Sequence, residues 1–280
     1  MVRLGLIGDN IKRSKSPLLH RLAGRLCGLE VTYESLIPAD LDLDFDAVFE
    51  RCRSEGFAGI NITYPYKETV FSRLVVDDPR VRAIGACNTV LFREDGSYGL
   101  NTDYTGFIAA IRGGLQGDAP GTVAMAGAGG VGKAVAFGLA DLEADELRIF
   151  DMDPNKAEAL ASSLRAANSS MKVAVASTIE EAVGGSDGLV NCTPLGMNGI
   201  AGTAIPRQLI PGRRWAFDAV YTPVDTEFLL DARAEGVTTI SGYELFFHQG
   251  VDAFRAFVGR DVDPDALRAA LLSEAAGSSD

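Results

Sequence analysis

The chain has 280 residues, with 26 Lys+Arg against 38 Asp+Glu for a formal net charge of −12, and it is 47% hydrophobic and 23% charged. At roughly 150 residues per domain the length suggests two domains, and the composition argues against long disorder outside the tail "SEAAGSSD". The acidic balance disfavours nucleic acid or an anionic membrane as partner, because phosphate surfaces need basic ones, so a small-molecule ligand is expected.

Four cysteines (Cys27, Cys52, Cys87, Cys192) are scattered without a CxxC pair. The opening "MVRLGLIGD" reads as a strand, not as a signal peptide, so a reduced, cytoplasmic protein is expected. No apolar run reaches the ~20 residues of a membrane helix. His20 and His248 are too few for a metal cluster, and no metal is expected.

In chain order, "RLGLIGD" is a strand, and "SPLLHRLAGRLCG" places Ser16 at an N-cap, Pro17 at the first helical position and Gly28 past the end. A strand at "VTYESLI", a helix before Gly56 and a strand at "FAGINIT" continue the alternation, which favours a mostly parallel sheet flanked by helices. "NTVLFREDGSYGLN" reads as a hairpin about Asp95-Gly96.

From residue 121 a second α/β alternation begins: strand "TVAMAGA", helix "VGKAVAFGLADL", strand "LRIFD" and a helix opened by Pro154, the signature of a doubly wound unit. It continues through "VAVAS", a helix start with Thr178 and Glu181 as a capping box, and strands "GLVNCT", "WAFDAV" and "VTTIS". The late apolar helix "YELFFHQGVDAFRAFV" follows that sheet, and packing back on the first domain would make that domain discontinuous.

"GAGGVG" fits G-x-G-x-x-G with Gly127, Gly129 and Gly132 between a strand and a helix. The pattern suits a tight turn, close approach to a pyrophosphate and close helix packing, with Gly130, Val131 and Ala128 completing the loop. The helix N-terminus offers free N–H groups and a positive dipole end to the phosphates. The next strand ends in Asp151, where a carboxylate accepts hydrogen bonds from the adenosine ribose. A 2′-phosphate about 4 Å away would be repelled by roughly 4 kcal/mol at an effective dielectric of 20. NAD is therefore expected over NADP, although Arg148 and Lys156 nearby are basic. The competing reading makes Asp151 a helix cap beside Pro154.

Together "SKSP", "NITYPYK", "GACNTV", "GLNTDYTG", "GAGGVG", "NCTPLGM" and "HQGVDAF" resemble, in order and across nearly the whole chain, the shikimate and quinate dehydrogenase family. The resemblance implies a two-domain α/β fold. A substrate domain would span 1–103, completed by C-terminal helices over 243–280, and a Rossmann-type NAD domain would span 104–242, with substrate in the cleft between them. It implies reversible oxidation of the ring hydroxyl of shikimate to 3-dehydroshikimate, and in some members of quinate, by a monomer or homodimer.

Carried over residue by residue, the resemblance makes Lys67 and Asp103 the catalytic pair. It implies Ser14, Ser16, Asn61, Thr63, Asn88, Tyr221 and Gln249 as substrate ligands, and Thr193, Leu195, Val220 and Gly242 as cofactor contacts beside the glycine loop, Asp151 and Lys156. Such donors and acceptors suit a polyhydroxy carboxylate, since an orphaned buried polar group costs about 1–3 kcal/mol. Taken singly, each also reads as a turn or capping residue.

Two departures stand out. "FDMDPNK" puts Asp151, Met152 and Asp153 where many members carry a base for a 2′-phosphate, which favours NAD. "SGYELFFHQG" replaces the usual Asp-Gly opening and methionine-bearing helix, so Tyr243 and Glu244 bear on substrate choice. Tyr64 and Tyr66 are expected as packing residues, with either hydroxyl also able to reach substrate, and His248 as packed or half-exposed. A dehydrogenase of an amino-shikimate or other polyol acid, and a non-catalytic NAD-bound sensor, are the alternatives.

Overall fold

The computed structural model describes residues 1–167 and 170–277. It divides into two compact units, one formed by residues 1–102 with 249 onward and the other by 103–248.

In the first unit, the chain runs β1 (Val2–Ile7), α1 (Ser16–Leu26), β2 (Val31–Leu36), α2 (Phe45–Ser54), β3 (Gly59–Ile62), α3 (Pro79–Ile84), β4 (Thr89–Arg93) and β5 (Gly96–Leu100). The sheet order is β2-β1-β3-β4-β5. β1 pairs in parallel with β2 and β3, while β4 is antiparallel to both β3 and β5. The sheet is therefore mixed, because a two-residue turn joins β4 to β5 where a parallel neighbour would need a crossover. Arg93 pairs with Gly96, so the turn residues are Glu94 and Asp95, one place earlier than the Asp-Gly pair suggests. Ile7, Ile60, Ile62 and Val90 form a core with Val48 and Phe49 of α2.

Ser16 does not cap α1. The helix starts one residue earlier than the cap reading requires: Lys15 is the N-cap, in αR conformation and without a side-chain cap bond. Ser14 Oγ instead accepts the Ser16 amide at 3.2 Å. Gly28 follows the helix at φ +66, a conformation that favours glycine.

In the second unit, α4 (Thr102–Leu115) leads into β6 (Thr122–Ala126), α5 (Gly130–Asp141), β7 (Glu146–Phe150), α6 (Pro154–Ala167), β8 (Lys172–Val175), α7 (Ile179–Val183), β9 (Gly188–Asn191), β10 (Trp215–Asp218), α8 (Glu227–Ala234), β11 (Thr238–Ile240) and α9 (Gly242–Val258). The sheet order is β11-β10-β9-β6-β7-β8, parallel throughout. Counted from β6 this is the doubly wound order 3-2-1-4-5-6, whose direction reverses between β6 and β9. The strands are buried on both faces, as a parallel sheet covered by helices requires: Ala124, Leu189 and Ala216 are fully buried, as is Trp215, whose indole donates to Pro120 O at 3.0 Å.

α9 begins in the second unit and ends in the first. Its Gly250 lies against α1, since a Cβ there would meet Leu19 Cδ1 at 2.6 Å. α10 (Pro264–Gly277) also packs on α1. No helix among the described residues is long and apolar enough to cross a membrane.

Candidate active site

The first polar assembly stands at the switch between β6 and β9, where a doubly wound sheet opens a crevice outside its strand ends. Gly127 follows β6 at φ +99, and a Cβ there would meet the Cys192 carbonyl carbon at 2.8 Å. Gly132 lies over the turn, where a Cβ would come within 2.3 Å of Gly127 O. Gly129 differs. Its φ of −77 is ordinary, and a Cβ would meet nothing within 4 Å. The protein's own packing therefore does not demand a glycine at 129, whereas a pyrophosphate approaching the backbone at the start of α5 does. The loop thus fits a dinucleotide.

Asp151 follows β7, and its two oxygens accept the amides of Ala128 at 2.7 Å and Asp153 at 2.8 Å. The cap at α6 is Asp153, which accepts Asn155 N at 3.0 Å. Asp151 ties the glycine loop to the next strand and keeps lone pairs for further donors. Arg148 is committed elsewhere: its Nε and Nη2 reach the two Glu146 oxygens, each at 3.1 Å, and its Nη1 donates to Gly184 O. Lys156 is exposed on α6, and Met152 is 90% exposed.

After β9, Thr193 donates both its amide and its hydroxyl to Asn191 Oδ1, and Leu195 N donates to Thr193 Oγ1. Val220 follows β10, and Gly242 opens α9 where a Cβ would come within 2.5 Å of Val220 O. Tyr221 is half-buried and stacks on Phe246, with ring centroids 4.9 Å apart.

The second assembly lies at one end of the first unit's sheet. Register sets Asn61 of β3 opposite Thr89 of β4, and Thr89 opposite Leu100 of β5. Asn61 accepts from Tyr33 Oη at 2.8 Å and donates to Asn88 O at 3.2 Å and Thr89 Oγ1 at 3.0 Å. Asn88 accepts Thr102 N at 2.7 Å, and its own amide donates to Thr102 Oγ1 at 3.0 Å and Gln249 Oε1 at 3.5 Å. Asn61, Asn88, Thr89 and Thr102 are all buried, so this is a closed network of the kind that fixes side-chain geometry.

Thr63, Ser14 and Ser16 lie at the same sheet end, after β3 and β1. Thr63 N donates to Ile7 O at 2.9 Å, and the Ser14 hydroxyl to Ser16 Oγ at 3.2 Å. Lys67 sits half-buried in the turns after β3, its carbonyl accepting Cys87 N at 2.9 Å beside Asn88. Asp103 is buried in the first turn of α4, where a carboxylate complements the helix N-terminus.

Of the flanking tyrosines, Tyr66 stacks on Phe45 at 4.7 Å and donates to Asp9 at 2.6 Å. Tyr64 is 76% exposed, and so is not the packing residue expected. His248 is half-buried, with Nε2 3.9 Å from Glu244 Oε2. Thr89, Thr102 and Tyr33 belong to the polar network although the sequence reading did not single them out. The only hint was the Asn-Thr dipeptide at 88–89 and again at 101–102.

Residues 6–90 match the shikimate dehydrogenase substrate binding domain. A relative from Corynebacterium efficiens, a quinate/shikimate dehydrogenase (NAD(+)), is 38% identical over 278 residues, 97% of this chain and 98% of its own. The chain belongs to the shikimate and quinate dehydrogenase family. It is an NAD(P)-dependent oxidoreductase acting on CH–OH, with shikimate/quinate dehydrogenase activity. A shikimate dehydrogenase (NADP(+)) from Pseudarthrobacter chlorophenolicus is equally close, at 38% over 96% of this chain and 94% of its own. A solved quinate dehydrogenase from Corynebacterium glutamicum in complex with NAD superposes with a TM-score of 0.88 at 34% identity, over 97% of this chain and 99% of that one. Family members of both cofactor types are thus similar to this dehydrogenase.

Proposed function

We propose that this enzyme prefers NAD and interconverts the ring 3-hydroxyl of shikimate, and of quinate, with the corresponding ketone. The observation that carries the cofactor preference is Asp151 at the end of β7, bonded to Ala128 N within the glycine loop. A carboxylate there accepts ribose hydroxyls and repels a 2′-phosphate, and Arg148 on β7 is already paired with Glu146. The relatives named for NAD support the same reading.

In this reading residues 1–103 with 243–280 hold the substrate, and 104–242 hold the dinucleotide. Asn61, Asn88, Thr63, Ser14, Ser16, Gln249 and Tyr221 bind the hydroxyls and carboxylate of the ring acid. Lys67 and Asp103 share one proton-transfer function. The dinucleotide supplies the hydride acceptor. As the hydroxyl carbon loses hydride, its oxygen loses a proton to the Lys67 amine, and in the reverse direction Lys67 returns it. Calorimetric titration of the purified enzyme with NAD and with NADP tests the preference: at least tenfold tighter NAD binding is expected, and equal or tighter NADP binding overturns it.

A further inference from the structure

Behind the residues read as nicotinamide-side contacts lies a carboxylate that no reaction step uses. Asp218, the last residue of β10, is fully buried. Its Oδ1 accepts Asn191 Nδ2 at 2.9 Å and Val220 N at 3.0 Å, and its Oδ2 accepts the Thr226 hydroxyl at 2.6 Å. These three donors come from the end of β9, the loop after β10 and the start of α8.

Each bond continues outward. With its NH2 facing Asp218, Asn191 must point its carbonyl oxygen at Thr193, where it accepts both amide and hydroxyl. The same NH2 also donates to Leu195 O at 3.2 Å. On the other side, Val220 carries the carbonyl against which Gly242 lies, and Thr226 Oγ1 accepts Leu229 N as the cap of α8. One buried carboxylate therefore orders Thr193, Leu195, Val220 and Gly242 together.

We propose that Asp218 is a positioning residue for the dinucleotide, holding the segments 191–195 and 219–220 in the shape that receives its nicotinamide half. The inference rests on reading Thr193, Leu195, Val220 and Gly242 as cofactor contacts. Burial raises the carboxyl to about 6, with the bonds from Thr226, Val220 and Asn191 partly opposing. The group is thus an acceptor on both oxygens at neutral pH. An acceptor is what the arrangement needs, because all three neighbours present donors. A neutral, apolar replacement would remove at once the acceptor shared by the Asn191 NH2, the Val220 amide and the Thr226 hydroxyl, and with it the tie between the end of β9, the loop after β10 and the start of α8.

The test compares wild type, Asp218→Ala, Asp218→Asn and Asn191→Ala by NADH fluorescence titration, by the separate KM values for dinucleotide and shikimate, and by thermal melting. Asp218→Ala is expected to raise the NADH Kd and the NAD KM at least tenfold with the shikimate KM changed less than twofold. Asp218→Asn should restore the Kd to within threefold of wild type, since its oxygen can face Asn191 and Val220 while its NH2 donates to Thr226. A folded Asp218→Ala with wild-type NADH affinity, or one that raises both KM values equally, overturns the proposal.

If Asp218→Ala does not fold, Asn191→Ala, which leaves Asp218 bonded to Val220 and Thr226, carries the same expectation for Kd; an unchanged value in that variant is equally contradictory. A wild type that binds NADH with Thr193→Val, Leu195→Ala and Val220→Ala all without effect on Kd would fail the underlying reading of the loop, separately from the role of Asp218.

Discussion

Asp151 accepts the amide proton of Ala128 at 2.7 Å, so the residue that meets the adenosine ribose in our reading is also the one that fastens the glycine loop to β7. Asp151→Ala is expected to shift the NADP:NAD ratio of kcat/KM toward NADP by about 10- to 10³-fold, the upper end being the ~4 kcal/mol of a charge pair at 4 Å. NAD binding itself should weaken as the loop loses its tie. An unchanged ratio in steady-state kinetics would remove the electrostatic argument for NAD.

The glycines of the loop should separate by function. Gly132→Ala drives a methyl to 2.3 Å from Gly127 O, so thermal melting should show a loss of about 1–3 kcal/mol. Gly129→Ala meets no protein atom within 4 Å and should leave the melting temperature unchanged while weakening NAD binding by about tenfold, ~1.4 kcal/mol. Equal effects of both on stability would contradict the assignment of Gly129 to the pyrophosphate.

Lys67→Ala should lower turnover by about 10²–10⁴ if the amine transfers the proton. A variant with near-native kcat and only a raised shikimate KM would leave Lys67 a binding residue.

Two buried groups should act oppositely on acid stability. Burial drives His20 down to about 3 from its ordinary 6.5, the Asn61 bond opposing in part. It stacks on Tyr33 with ring centroids 4.8 Å apart, near Phe254 and Phe257. The unfolded chain takes up that proton first, so stability is full above 6.5 and is lost as pH falls toward 3, by about 5 kcal/mol. Asp218 is raised to about 6 from 3.8, so its contribution is full below 3.8 and is lost as pH rises through 6, by about 3 kcal/mol. Urea midpoints at pH 4 and 6.5 should therefore fall less with acid in His20→Phe than in wild type, and more in Asp218→Asn. Parallel slopes in all three would refute both assignments.

Much of the architecture was readable because local signals agreed with it. A glycine loop between an apolar strand and a helix announces the doubly wound unit, and Asp95-Gly96 announces the β4–β5 turn to within a residue. The cap at Ser16 misled because Lys15 adopts helical angles and Ser14 supplies the acceptor, a choice made by backbone geometry that residue type alone does not encode. Thr89, Thr102 and Tyr33 escaped notice because they join Asn61 and Asn88 only through strand register. Asp218 and Asn191 lie 27 residues apart in sequence and meet only when β9 and β10 pair in parallel.

The most direct measurement is the initial rate of nicotinamide reduction at 340 nm for purified enzyme with NAD and NADP, each against shikimate and quinate. We predict turnover with NAD and at least one of the two acids, with kcat/KM at least tenfold above that for NADP. No turnover in any combination from enzyme that binds NAD, or a preference for NADP, would contradict the account.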